Sequence, residues 1–219
     1  MDKLRLLYEQ TGRAAWISHL DMMRMLQRAF NRAGIALKYS EGFNPHAKIS
    51  VLMPLSVGTE SLCQLADVEL QKESDLQELP QRLNAVVPEG VHFLKAYREA
   101  AKPAELKELF ARISFIYDRV PAPDAVEKLD GLFAANELIV NRKTKRGEGE
   151  FDIRPCYHGL QVYATDRGIN LEAFLSASEP VLRPELLTAA VGRYMQELMP
   201  DEVHYKRVQL FHVNGSIFH

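Results

Sequence analysis

Two arginines one helical turn apart, Arg24 and Arg28, followed by Arg32, mark the stretch SHLDMMRMLQRAFNRAG (18–34) as a place where chemistry with an anion is possible. A helical stripe of guanidinium groups suits carboxylate or phosphate, which it meets with planar, charge-assisted hydrogen bonds. Two histidines lie close by in sequence. His19 stands next to a helix start, where unpaired N–H groups can hold an anion, and His46 sits in the loop SEGFNPHA (40–47). An imidazole titrates near working pH, so either is a candidate acid or base on a phosphodiester. Lys48 beside His46 would stabilise negative charge, and Tyr39 and Phe43 offer rings for base stacking.

A second basic segment, RKTKRGEGE (142–150), carries Arg142, Lys143, Lys145 and Arg146 among glycines. It reads as a loop able to close over a phosphate backbone, or as a solvated hairpin tip. Its glycines do not make a nucleotide-binding loop, because the terminal Gly-Lys-Ser/Thr that holds phosphate and magnesium is missing. No Gly-x-Ser-x-Gly supplies a serine nucleophile. The seven histidines form no His-Glu-x-x-His or other close ligand pair, so no metal site and no cofactor are expected. Cys63 and Cys156 are the only cysteines. They cannot supply the three thiolates of a four-iron cluster, and they read as reduced, partly buried thiols.

These residues need elements to hold them. Leu4, Leu6 and Tyr8 alternate as in a strand. Ser18 with Asp21 three residues on is a short capping box, and Gly34 suits the end of the helix it starts. Leu20, Met23, Leu26 or Gln27, Phe30 and Ala33 follow the spacing of a buried stripe, which puts Arg24, Arg28 and Asn31/Arg32 on the opposite side. Ile35–Tyr39 and Lys48–Leu55 read as extended, Gln64–Gln71 as a strand, Leu76–Val86 as a helix and Val91–Tyr97 as a strand. The order β-α-β-β-α-β is a ferredoxin-like plan.

After a linker at 99–108 the cycle restarts. Arg112–Tyr117 is strand-like, Asp124–Ala135 helical, and Leu138–Lys143, Phe151–Pro155, Leu160–Ala164 and Ile169–Leu175 are strands. A helix from Pro184 to about Met199 and a strand from Tyr205 to Val213 close the chain. The expectation is therefore an α+β protein of two tandem ferredoxin-like (βαββαβ) domains with antiparallel sheets, the second with an added strand. Residues 1–100 form the first and 106–219 the second.

The composition, 47% hydrophobic and 26% charged, is that of a globular protein. The start MDKLRLLYEQ lacks the apolar core of a signal peptide, and no run is long enough for a membrane span, which points to the cytoplasm. Net charge is −2, yet residues 13–54 hold six basic residues against two acids. That local +4 leaves −6 for the rest, so a basic face on an acidic body suits an anionic partner.

The segments SHLDMMRMLQRAFNRAG, LKYSEGFNPHAKISVLMPLSVGTES and the stretch from Lys143 to Pro155 ending FDIRP resemble the radical-SAM-linked family of bacterial proteins, over nearly the whole chain. The resemblance implies a free-standing companion of a radical SAM protein. It marks His19, Asp21, Arg24, Tyr39, Ser40, Gly42, Phe43, Asn44, Pro45 and Ser50, with Asp152 and Arg154, as characteristic positions, and it assigns them no roles. With them the candidate anion- or RNA-binding set is Arg24, Arg28, Arg32, Tyr39, Ser40, Asn44, Lys48, Lys143, Lys145, Arg146 and Arg154. Two functions follow as expectations. One is a non-catalytic accessory or substrate-presenting protein for a radical SAM enzyme, acting on RNA or a translation component. The other, by fold analogy with CRISPR-repeat-processing ribonucleases, is an RNA-binding protein or metal-independent endoribonuclease with His19 or His46 at its centre.

Overall fold

A computed structural model describes residues 3–98, 101–144 and 147–219. The chain divides into two compact units, Met1–Glu105 with Ile217–His219, and Leu106–Ser216. Among the described residues no helix is long and apolar enough to cross a membrane.

In the first unit the elements run β1 (Lys3–Gln10), α1 (His19–Arg32), β2 (Ile49–Leu52), β3 (Thr59–Glu69), α2 (Leu79–Asn84) and β4 (Val91–Arg98). A short 3-10 turn, Gly12–Trp16, precedes α1. The strands pair antiparallel in the order β4-β1-β3-β2. Leu4, Leu6 and Tyr8 of β1 join Ala66 and Val68 of β3 and Phe93 of β4 in one core with the two helices.

α1 begins and ends as its sequence demands. Ser18 Oγ accepts the Asp21 N–H at 3.2 Å and donates to the Asp21 carboxylate at 2.7 Å. Ile17 and Met22 on either side of the cap enter the same core, a hydrophobic staple. At the far end Gly34 takes φ +69°, and the N–H groups of Ile35 and Gly34 reach the carbonyls of Phe30 and Asn31. That is a Schellman motif, and Arg82 of α2 adds a hydrogen bond to the Ala33 carbonyl at 2.8 Å. The buried stripe is Met22, Leu26, Ala29 and Phe30; Leu26 and Phe30 belong to the expected stripe, whereas Met22 and Ala29 take the places expected for Leu20 and Met23. Leu20 is 60% exposed. Ala29 and Phe30, both fully buried in the core shared with the sheet, set which of the two apolar phases the sequence allows is turned inward.

The other face of this sheet carries a buried charge. Arg5, fully buried, meets Asp67 through Nε–Oδ1 at 2.7 Å and Nη2–Oδ2 at 3.1 Å. Its Nη1 donates to the main-chain oxygens of Ala101 and His219, and its guanidinium lies 5.3 Å from the Phe218 ring centre. The apolar Phe218 is thereby buried in the first unit.

The second unit overturns the tandem ferredoxin-like plan. It runs β5 (Leu106–Ile116), α3 (Ala125–Phe133), β6 (Ile139–Thr144), β7 (Gly147–Asp152), β8 (Tyr157–Thr165), β9 (Gly168–Ser176), α4 (Glu185–Tyr194) and β10 (Glu202–His212). The order β10-β5-β9-β8 forms one antiparallel array, whereas β6 and β7 make a separate two-stranded sheet. This is a strand-rich α+β chain with four α-helices among the described residues, not two βαββαβ copies with one strand added. The physical reason is local. The outer halves of the two strands, NRKT and GEGE, are polar and pair with each other, while Val140 at the inner end of β6 is buried.

Candidate anion-binding face on the first helix

The helix phase fixes what α1 shows to solvent. Arg24, Arg28, Asn31 and Arg32 are exposed, on the side opposite Met22, Leu26, Ala29 and Phe30. Successive arginines four residues apart rise about 6 Å along the axis. They border an open groove of about 440 Å³, with Asp21 and Met25 beside them and Val86, Val87 and Pro88 from the α2–β4 connection opposite. That wall is pinned from both ends. Asn84 brackets Phe93, donating to its carbonyl and accepting its N–H. Gly90 takes the Thr11 N–H on its carbonyl at 2.8 Å. A Cβ at Gly90 would come within 2.3 Å of the Thr11 oxygen, so only glycine fits.

The three arginines are not equivalent. Arg24 Nη1 pairs with Asp21 Oδ1 at 3.0 Å. The Ser18 hydroxyl, and then Arg24, hold the Asp21 carboxyl below its ordinary range, so Arg24 is partly neutralised. The side chains of Arg28 and Arg32 make no hydrogen bond or salt bridge among the described residues, and Arg28 reaches Asp21 only through longer-range attraction. They are the cations of this face left open to an external anion.

The loop after the helix is closed at its base. Tyr39 bridges Ala47, Ser40 N–H donates to the His46 carbonyl at 2.8 Å, and His46 N–H donates to Ser40 Oγ at 3.0 Å. Gly42 has φ +115° at the tip, where Asn44 is exposed and Phe43 fully so. Gln27 Nε2 donates to Tyr39 Oη at 2.9 Å, which ties the loop to α1. Tyr39 and Ser40 therefore shape the loop.

His46 and His19 are both exposed, and no side-chain hydrogen bond orients either among the described residues. Lys48 is not a free cation, because Nζ pairs with Glu69 at 3.0 Å.

The second basic segment lies in the other unit. Lys143 is exposed on β6 opposite Glu148, and Lys145 and Arg146 lie outside the described residues. Arg142 stacks its guanidinium over Phe151 at 4.7 Å, and Arg193 pairs with Glu150 at 2.7 Å. Arg154 is structural. It donates to the carbonyls of Ala135 and Tyr157 and lies over the Tyr157 ring, while Asp152 accepts the N–H groups of Leu138 and Arg154.

Two features escaped sequence reasoning. Trp16, the only tryptophan, is 71% exposed beside the start of α1, and the exposed Leu20 follows it. The signal available was a lone tryptophan two residues before an N-cap. The other is in the second unit, where Phe110 and Phe174 face each other on β5 and β9 with ring centres 4.9 Å apart. His158 stacks on Phe174 at 5.0 Å, but Glu108 pairs with His158 and Glu172 with Arg112. Its carboxylates already have partners, unlike the Arg28 and Arg32 side chains of α1.

Residues 3–184 match the family described as "Uncharacterized protein conserved in bacteria (DUF2344)", and the chain belongs to that family. No curated protein matches it.

Proposed function

We propose that this family member is a non-catalytic, RNA-holding accessory of a radical SAM enzyme, with the arginine row of α1 as its phosphate-binding surface. The observation that carries the reading is the pair Arg28 and Arg32, exposed on successive turns beside an open groove and without a salt bridge among the described residues. An exposed guanidinium row attracts a polyanion over a distance and then grips its phosphates in pairs of hydrogen bonds. The resemblance to radical-SAM-linked proteins supplies the enzyme class. Two cysteines cannot ligate a four-iron cluster, so the radical chemistry is assigned outside these 219 residues.

The ribonuclease reading has less support. It rested on the tandem fold, and neither His19 nor His46 has a side-chain partner among the described residues to orient it as a base. Affinity capture of the tagged protein from bacterial cells tests the accessory role. A radical SAM enzyme recovered together with RNA, both reduced when Arg28 and Arg32 become alanine, supports it. Recovery of neither contradicts it.

A further inference from the structure

The crest of α1 runs from Leu20 through Arg24 to Asn31, and aromatic side chains lie along its flank. Trp16 immediately precedes the helix, and Tyr39 is hydrogen-bonded to Gln27 on its third turn. A tryptophan normally buries most of its large apolar surface. Trp16 instead leaves 71% in water. Its six-membered ring rests on Gly58, where an added Cβ would touch Cη2 and Cζ3 at 3.4 Å. Gly58 itself is held by its N–H donating to the Ala15 carbonyl at 2.8 Å. The indole is thus seated from beneath, with most of its surface open. Phe43 stands fully exposed at the loop tip beyond Tyr39.

An open indole just before α1, and guanidinium groups without a salt bridge about two to four turns further along the same helix, are the two components of a single-strand site. Phosphates meet the cations, and unstacked bases meet the rings. A duplex offers the phosphates but keeps its bases inside. We propose that the polymer held on α1 is single-stranded RNA and that one of its bases stacks on the open face of Trp16, with Phe43 as a second ring. This rests on the phosphate-binding reading of α1 and goes beyond it. The occupant is chosen by charge. An apolar protein surface would cover Trp16, Leu20 and Phe43 but leave Arg28 and Arg32 without counter-ions.

The sole tryptophan makes the test direct. The full chain is titrated at low salt with three probes: a labelled uridine oligonucleotide, an RNA duplex of equal length, and inorganic polyphosphate. Binding is read by anisotropy or competition, and Trp16 by its emission. The expected result is that the single strand quenches Trp16, whereas duplex and polyphosphate bind without quenching. Trp16→Leu should weaken single-strand binding about fivefold or more, the lower end for one stacked base. It should leave polyphosphate binding unchanged, and Trp16→Phe should restore most of the loss. Circular dichroism confirms that each variant is folded. Single-strand binding with unchanged Trp16 emission and full affinity in Trp16→Leu would overturn the stacking proposal while sparing the phosphate site. Absence of binding to all three probes would overturn both.

Discussion

Gln27 donates a hydrogen bond from its side-chain amide to the Tyr39 hydroxyl across 2.9 Å, which fastens an exposed loop to the third turn of an exposed helix. Loop and arginine row are thereby held on one scaffold. Tyr39→Phe keeps the ring, and the hydroxyl can still be replaced by water as Gln27's partner. The cost in global stability is therefore about 1 kcal/mol or less. The larger effect is local. Amide exchange at 40–47 should accelerate relative to α1, and equal exchange in the variant and the parent would show that the tether does not hold the loop.

The Arg5–Asp67 pair is a different kind of interaction, buried and bidentate. Asp67→Asn leaves a guanidinium in the interior with its main counter-charge removed. Breaking one partner of such a pair costs about 3–5 kcal/mol. Arg5→Met combined with Asp67→Leu should recover much of that loss, because the stranded charge is then absent. Urea denaturation of the single and double variants measures both steps.

Asp152, a position that the resemblance singles out without a role, tests whether such a position serves the fold. Its carboxylate accepts the N–H groups of Leu138 and Arg154 at 2.9 and 3.0 Å. Asp152→Ala leaves two partly buried donors unmet, at a cost of about 1–3 kcal/mol per buried group. Its thermal midpoint should fall while polyanion binding by α1 stays at the parent value. A selective loss of binding at unchanged stability would make this position part of the site.

Burial pushes Tyr97, Tyr117 and Tyr157 up to about 12. An unfolded tyrosine ionises near about 10. The folded state therefore binds more protons in between, and stability that is complete below pH 10 is lost as pH rises towards 12. Tyrosinate absorbance should show a late-titrating group whose ionisation coincides with unfolding by circular dichroism. Complete ionisation of all eight tyrosines near pH 10 in the folded protein would contradict the burial.

Much of α1 was legible because its signals are local. Ser18, Asp21 and Gly34 mark its ends by backbone chemistry that needs no tertiary partner. Its rotation was not legible. Residues 20–26 place leucine or methionine at five of seven positions, which fits two buried phases. Packing of Ala29 and Phe30 on the sheet chose one and left Leu20 outside. Arg5 and Asp67 alternate along their strands like surface residues, and nothing local announces that residues 217–219 return to cover them. The second unit departs from the expected plan for a related reason. Periodicity marks six short strands, but which strands pair is a long-range choice, and the strands at 139–144 and 147–152 form their own sheet. Within the site, residue type identified the arginines, while only geometry separated Arg28 and Arg32 from the paired Arg24 and Lys48.

The salt dependence of RNA binding bears most directly on the central claim. For a single strand, log K falls against log salt with a slope of roughly −0.7 per phosphate contacted, so the two open arginines contribute about −1.4. The account predicts that Arg28→Ala with Arg32→Ala binds weakly and makes the slope shallower by about 1.4, with the thermal midpoint unchanged because both side chains are exposed. The same affinity and slope in the double variant and the parent would contradict the assignment of α1 as the RNA-binding face.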